Sequence, residues 1–369
     1  MMIIIAPGAV ALIAAILAAA ISIVDKVVNN YGEVELDIND GKKKIKLDGG
    51  ESLLSSLAGQ EIFVPSACGG RGTCGACKCQ VTSDVGPYLP TETPFMTKEN
   101  LADNIRLACQ VKIKSDISIK IPDELFNIKK YDSIVKSIVD VTHDIKEVTF
   151  DLQGEEINFE AGKYVQLVVP PHGKIKGSTQ RAYSMASKPG EKDIVRLLIR
   201  LVPGGIATTW VHTELKEGDR VELVGPFGDF FRTPTDTTMV CVAGGSGMAP
   251  FMSILFDMLD TGELDREVWY FFGARTVKDM FYLDELRELE KKMPNFHFVP
   301  ALSEPEEGTP WDGATGLITD VLDKYLKEEI GTDKKREGYL CGSPGMINAC
   351  NNVFTANKVS LDDIFYDKF

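Results

Sequence analysis

At 369 residues the chain is long enough for two or three domains, each with its own core, and 44% hydrophobic with 25% charged residues is ordinary globular composition. A formal net charge of −14 argues against a nucleic-acid partner, which needs clustered Lys and Arg, and fits solubility with mild self-repulsion. Eight cysteines in so long a chain, four of them between Cys68 and Cys79, argue against an extracellular disulfide scaffold and for a cytoplasmic metal or cluster site.

Residues 1–24 carry no charged side chain and are rich in Ile, Ala, Leu and Val. As a helix such a run reaches about 36 Å, enough for a hydrocarbon core of ~30 Å. No positive charge precedes Lys26, unlike a secretory signal. The segment predicts a single-pass membrane anchor over 1–26, with a buried core helix as the alternative. Lys42, Lys43 and Lys44 place the following chain on the cytoplasmic side, where nucleotide is available.

Next come two alternating stretches, 33–38 and 44–47, around an Asn39-Asp40-Gly41 turn, the pattern of a β-hairpin. Cys68, Cys74 and Cys77 then follow with spacing C-x5-C-x2-C, and Cys109 stands thirty-two positions later. Three thiolates from one loop and one from a distant segment can enclose a two-iron cluster. Gly69, Gly70, Gly72 and Gly75 let that loop take positive φ and aim backbone N–H groups at sulfur. Four thiolates also suit zinc, although structural zinc sites come as two short pairs. Cys79 reads as a small packed side chain, its four-ligand set being complete. Residues 31–126 resemble a ferredoxin with five residues between its first two cluster cysteines, which implies a β-grasp fold and the ligands Cys68, Cys74, Cys77 and Cys109.

Pro122 and the segment 127–130 read as a linker. Short β-rich pieces at 133–139, 147–151, 164–169, 195–201 and 220–223 then predict an antiparallel barrel over 130–233. Within it, alternation puts Arg181 and Tyr183 on one strand face, a cation for pyrophosphate beside a phenol for a flat ring system. Gly204-Gly205-Ile-Ala-Thr208-Thr209 follows at an expected helix start, where N–H groups bind phosphate. Together with Gly225-Pro-Phe-Gly228, these residues resemble the ferredoxin–NADP reductase superfamily. That resemblance implies FAD held by Arg181, Tyr183, Ser184, Gly205 and Thr208.

From 237 to 369 the pattern becomes α/β. An apolar run, 238–243, leads into Gly244-Gly245-Ser-Gly247-Met-Ala-Pro250 and then an apolar helix, a strand, glycine turn and helix start suited to a dinucleotide pyrophosphate. Strands ending at Gly273-Ala-Arg275 and at Cys341-Gly342-Ser-Pro-Gly point to the same ligand-binding edge. In the reductase superfamily the Cys341 segment borders the nicotinamide, and Cys241 and Cys350 read as core residues. Arg275 stands where an arginine would accept a 2′-phosphate; no second basic partner is evident, so NADH is expected rather than NADPH.

The order of anchor, ferredoxin, flavin barrel and Rossmann-like domain resembles, along nearly the whole chain, the F subunits of Na+-translocating NADH:quinone oxidoreductases. Leu89-Pro-Thr-Glu92, Arg106-Leu-Ala-Cys-Gln110, Met280-Phe-Tyr282 and Trp311-Asp-Gly313 carry the match. The segment between Pro170 and Arg181 is shorter than in that family. The resemblance implies an inner-membrane protein whose catalytic domains face the cytoplasm among integral membrane subunits. It also implies that Phe369 covers the flavin and swings away for NADH, while Ser184 orients flavin N5 and Cys341 lies near the hydride path. None of His143, His172, His212 and His297 is required as an acid or base. Two alternatives use the same motifs: a membrane-anchored reductase serving an oxygenase or desaturase, and an electron carrier or zinc scaffold that only senses NADH.

Overall fold

The computed structural model describes residues 15–18, 31–331 and 333–368. The anchor expected over 1–26 lies outside the described residues except for 15–18, a helical piece with Ile16 and Leu17 exposed. Among the described residues no helix is long and apolar enough to cross a membrane. Phe369 also lies outside them.

The chain divides into two compact units, Met1–Ile128 and Lys129–Phe369. The first holds strands β1 (Glu33–Ile38), β2 (Lys43–Asp48), β3 (Lys78–Val81), β4 (Ile105–Leu107) and β5 (Ile117–Lys120) in the order β2-β1-β5-β3-β4. Alternation in β1 buries Val34, Leu36 and Ile38. Its outward Glu33 and Glu35 pair across the hairpin with Lys46 and Lys44. A short helix, α1 (Leu53–Ala58), begins at the Ser52 cap and buries Leu53 and Leu57. The helix α2 (Lys98–Ala102) opens with a capping box from Thr97 and Asn100.

The second unit begins earlier than the expected linker allows. Lys129 and Lys130 already belong to β6 (Lys129–Asp140), because Tyr131 and Val135 bury into the barrel and pull the start of the strand with them. Strands β7 (Ile145–Asp151), β8 (Tyr164–Val169), β9 (Thr179–Ser184), β10 (Ile194–Arg200) and β11 (Arg220–Phe227) complete an antiparallel sheet, β10-β7-β6-β11-β8-β9. A Met185–Leu197 bridge joins its two ends into a barrel. Helix α3 (Ile206–Thr213) packs Trp210 and Val211 onto the barrel core.

The last sheet is parallel, β15-β14-β13-β12-β16-β17. It comprises β12 (Thr238–Gly244), β13 (Val268–Ala274), β14 (Phe296–Leu302), β15 (Ala314–Thr315), β16 (Arg336–Gly342) and β17 (Ile364–Lys368). Its central strands β12 and β13 are almost wholly apolar, the pattern of a parallel sheet covered on both faces. The connection from barrel to sheet is pinned by Arg266, which donates to the carbonyls of Thr233 and Thr237 and pairs with buried Glu337 at 2.8 Å.

Candidate functional site

The cysteine loop closes as the spacing requires. Pairing of β3 with β4 and a hydrogen bond from Ala108 N–H to the Cys77 carbonyl bring the distant Cys109 beside Cys77. The thiols stand as two pairs: Cys74 donates to Cys68 at 3.4 Å, and Cys77 is hydrogen-bonded to Cys109. Among the described residues no group of three or more ligating side chains meets around a single point. Two pairs of thiolates fit two bridged irons, which take two each.

Backbone N–H groups of Arg71 and Thr73 reach Cys68, that of Ala76 reaches Cys74 and that of Gly72 reaches Cys109. Burial pushes the Cys68 thiol up, but its hydrogen bonds outweigh this and hold it at about 7. The hydrogen bond from Cys77, helped by Gln110, overcomes burial and brings Cys109 down to about 6. Donors around two neighbouring pairs of sulfurs fit an anionic iron–sulfur cluster. Cys79, Cys241 and Cys350 are buried in hydrophobic cores.

A buried ion pair holds the loop that flanks this site. Arg106 and Glu92, 3% and 0% exposed, meet at 2.7 Å, and the guanidinium also donates to the carbonyls of Gly86 and Pro87. Glu92 accepts in turn from Leu89 N–H and Leu107 N–H. Burial raises the Glu92 carboxyl, yet these partners hold it below the usual range. The pair was not evident from sequence, since the two residues sit in separate motifs.

On the barrel edge β9 presents Arg181 and Tyr183 on one face and Ser184 on the other. Tyr183 packs against the barrel core, and burial pushes its phenol up. Arg181 donates to the Gln180 carbonyl at 2.7 Å. Ser184 donates to Asp367 Oδ2 at 2.9 Å, tying the barrel edge to β17. Sequence reasoning missed Asp367; its signal was a lone acid directly after the apolar-aromatic run Ile364-Phe365-Tyr366. Burial raises the Asp367 carboxyl against the Ser184 hydrogen bond. Gly205 caps α3 as expected, and the Thr208 hydroxyl in its first turn accepts from Val202 N–H at 3.1 Å.

At the sheet edge, β12 ends at Gly244, a 3-10 turn covers Gly245–Met248, and the helix α4 (Ala249–Thr261) carries Pro250 in its first turn. A Cβ at Gly247 would collide with the Cys341 carbonyl, lying 2.7 Å from its carbon, so only glycine lets this turn come so close to the end of β16. Gly245 faces Arg200 and Ile145 of the barrel, so the turn lies between the two lobes. Gly342 ends β16 beside the same turn. Cys341 is completely buried next to Met248 and Tyr270, and burial, then Asp367, pushes its thiol up. Arg275 is exposed and paired with Glu304 at 3.0 Å, and Lys278 with Glu306 at 2.9 Å. The histidines serve structure or lie at the surface: His212 bonds the Ile199 carbonyl, His172 that of Pro170, His297 stacks on Trp269, and His143 is exposed beside Asp279.

Residues 36–114 match the 2Fe-2S iron-sulfur cluster binding domain, 132–231 the oxidoreductase FAD-binding domain and 241–352 the oxidoreductase NAD-binding domain. In solved structures, a cytochrome P450 reductase of Amycolatopsis, GcoB, is similar with a TM-score of 0.72 and 30% identity, over 91% of this chain and 98% of that one. A ferredoxin reductase in carbazole 1,9a-dioxygenase is similar with a TM-score of 0.68 and 27% identity, over 92% and 98%. The chain is thus an iron–sulfur flavoprotein oxidoreductase that uses FAD, NADH and a [2Fe–2S] cluster.

It is 39% identical to the F subunit of the Na(+)-translocating NADH-quinone reductase of Idiomarina loihiensis, over 92% of both chains. It is 37% identical to the one of Pseudomonas aeruginosa, over 92% of this chain and 91% of that one. The chain belongs to this family of F subunits.

The Glu92–Arg106 pair gives a direct check on the cluster loop. Arg106→Leu strands a buried carboxylate, a loss of about 3–5 kcal/mol. Iron content per chain and melting temperature should both fall; an unchanged melting temperature with full iron content would contradict the role given to the pair.

Proposed function

We propose that this chain is the electron-input subunit of a Na+-translocating NADH:quinone oxidoreductase complex. It takes hydride from NADH and delivers electrons singly towards integral membrane subunits. FAD, when bound, supplies the conversion from a two-electron donor to a one-electron acceptor. The observation that carries the reading is that all three cofactor lobes lie in one chain that matches its F-subunit relatives over 92% of its length. Their order from 31–126 through 130–233 to 237–369 follows the electron path in reverse.

In this reading Cys68, Cys74, Cys77 and Cys109 hold the cluster. Arg181 pairs with the FAD pyrophosphate, Tyr183 lies against the ring system and Ser184 orients the flavin nitrogen that receives hydride. Asp367 keeps the Ser184 hydroxyl aimed. Gly205 and the first turn of α3 offer N–H groups to FAD phosphate, and Thr208 keeps that loop in place. Gly244, Gly245, Gly247 and Pro250 let the NADH pyrophosphate approach a helix start. Cys341 and Gly342 wall the nicotinamide; the buried thiol stays protonated and moves no proton. Phe369 covers the flavin until NADH displaces it. Residues 1–26 anchor the chain in the inner membrane with its catalytic lobes towards the cytoplasm.

A second reading, a reductase serving an oxygenase, is favoured by the likeness to the Amycolatopsis P450 reductase and the carbazole dioxygenase reductase, at 30% and 27% identity against 39% to the Idiomarina relative. Purification of the tagged full-length chain from detergent-solubilised membranes separates the two. Co-purification of integral membrane subunits with Na+-stimulated NADH:quinone activity is expected. Recovery with an oxygenase, or without membrane partners, would overturn the first reading.

NADH selectivity follows from the carboxylates beside Arg275 and Lys278. Glu304 and Glu306 neutralise both cations and would repel a 2′-phosphate. The double variant Glu304→Gln, Glu306→Gln should raise the NADPH-to-NADH ratio of kcat/KM by about tenfold. An unchanged ratio would remove these residues from the selectivity.

A further inference from the structure

Gln110 follows the fourth cluster cysteine, and its side chain folds back onto that residue. Its amide Nε2 donates to Cys109 Sγ at 3.4 Å. The other end of the amide is fixed, because Thr91 Oγ1 donates to Gln110 Oε1 at 2.7 Å. The Thr91 hydroxyl could serve either end of the amide, but a cluster thiolate can only accept, so the NH2 group faces sulfur and the oxygen takes the hydroxyl. Space for the amide comes from Gly72, where a Cβ would lie 2.8 Å from Gln110 Nε2. Thr91 adjoins Glu92, so the buried pair with Arg106 holds the hydroxyl at this position. The other sulfurs take their donors from backbone N–H groups, from Thr73 and from one another.

We propose that Gln110, oriented by Thr91, is the residue that raises the reduction potential of the [2Fe–2S] cluster through a hydrogen bond to the Cys109 sulfur. The proposal rests on the reading of Cys68, Cys74, Cys77 and Cys109 as the ligand set. Reduction adds one negative charge that spreads onto the thiolate sulfurs, and an N–H donor stabilises that charge more than it stabilises the oxidised cluster. Gln110 therefore makes the cluster a better acceptor of each electron leaving the flavin. Thr91 is a positioning residue: it touches no sulfur and acts only through the amide. Because Thr91 is exposed, the arrangement also gives the solvent side of the loop a route to the potential.

The test is a redox titration of the full-length holoprotein followed by the electron paramagnetic resonance signal of the reduced cluster. Gln110→Leu removes the donor and Thr91→Val removes the anchor with little change of shape. Gln110→Leu should lower the reduced-to-oxidised ratio at a fixed poise about tenfold, a shift of about 59 mV to lower potential for a one-electron couple. Thr91→Val should shift it in the same direction by less, and should add nothing in the Gln110→Leu background. A full cluster signal with an unmoved midpoint in Gln110→Leu overturns the proposal. So does a Thr91→Val shift that survives undiminished when Gln110 is already replaced. If Gln110→Leu fails to retain its cluster, the midpoint of Thr91→Val decides: unmoved, it overturns the proposal. Absence of any two-iron signal from loaded wild-type protein overturns the ligand reading itself, a result distinct from an unmoved midpoint.

Discussion

The contact on which the reductase unit turns is one between bare backbone and bare backbone. Gly247, in the turn after β12, lies so close to the Cys341 carbonyl at the end of β16 that no side chain fits between them. This contact fixes how near the glycine turn comes to the end of β16. From Cys341 the constraint passes to its register partner Asp367 on β17, and from Asp367 by a hydrogen bond to Ser184 on the barrel edge. Gly245 meets Arg200 and Ile145 of the barrel on the other side. Hydride transfer needs donor and acceptor rings held within van der Waals reach. The backbone contact and its two attachments hold the turn, β17 and the barrel edge together.

The ferredoxin unit meets a different demand, the enclosure of charge. Its sulfurs are ringed by N–H groups that only a loop with repeated positive φ can aim, as at Gly69, Gly70, Gly72 and Gly75. Such a loop has little packing of its own, and its flanking segment is held instead by the Glu92–Arg106 pair. Both ions are buried, and the carboxylate accepts two backbone N–H bonds besides those of the guanidinium. With every lone pair engaged, the desolvation that makes buried ion pairs weak is offset.

Much of this was readable before the fold. The spacing of Cys68, Cys74 and Cys77 admits few chemistries, and the glycines between them state the backbone requirement openly. Period-two alternation marked β1 and β2, and the apolar run at 238–243 marked a buried parallel strand. What sequence concealed were pairings between distant positions. Asp367 meets Ser184 across 183 residues, and neither local pattern names the other. The Thr208 hydroxyl at the start of α3 also accepts from Val202 N–H, a contact no local pattern announced. The linker at 127–130 read as polar and basic, but Tyr131 just beyond it buries into the barrel and draws Lys129 and Lys130 into the strand. Composition reports solvent exposure of a segment, not the hydrogen-bond ladder that incorporates it.

One chain combines a hydride acceptor with a one-electron acceptor because the donor gives electrons in pairs and the membrane partners take them singly. The most direct measurement is the absorption spectrum of the full-length, cofactor-loaded protein before and after anaerobic addition of NADH. Loss of the flavin bands together with the broad iron–sulfur absorbance is the expected result, since both centres lie on one electron path. Bleached flavin in an iron-free, zinc-containing protein would contradict the cluster assignment, and flavin that does not respond to NADH would contradict the path as a whole.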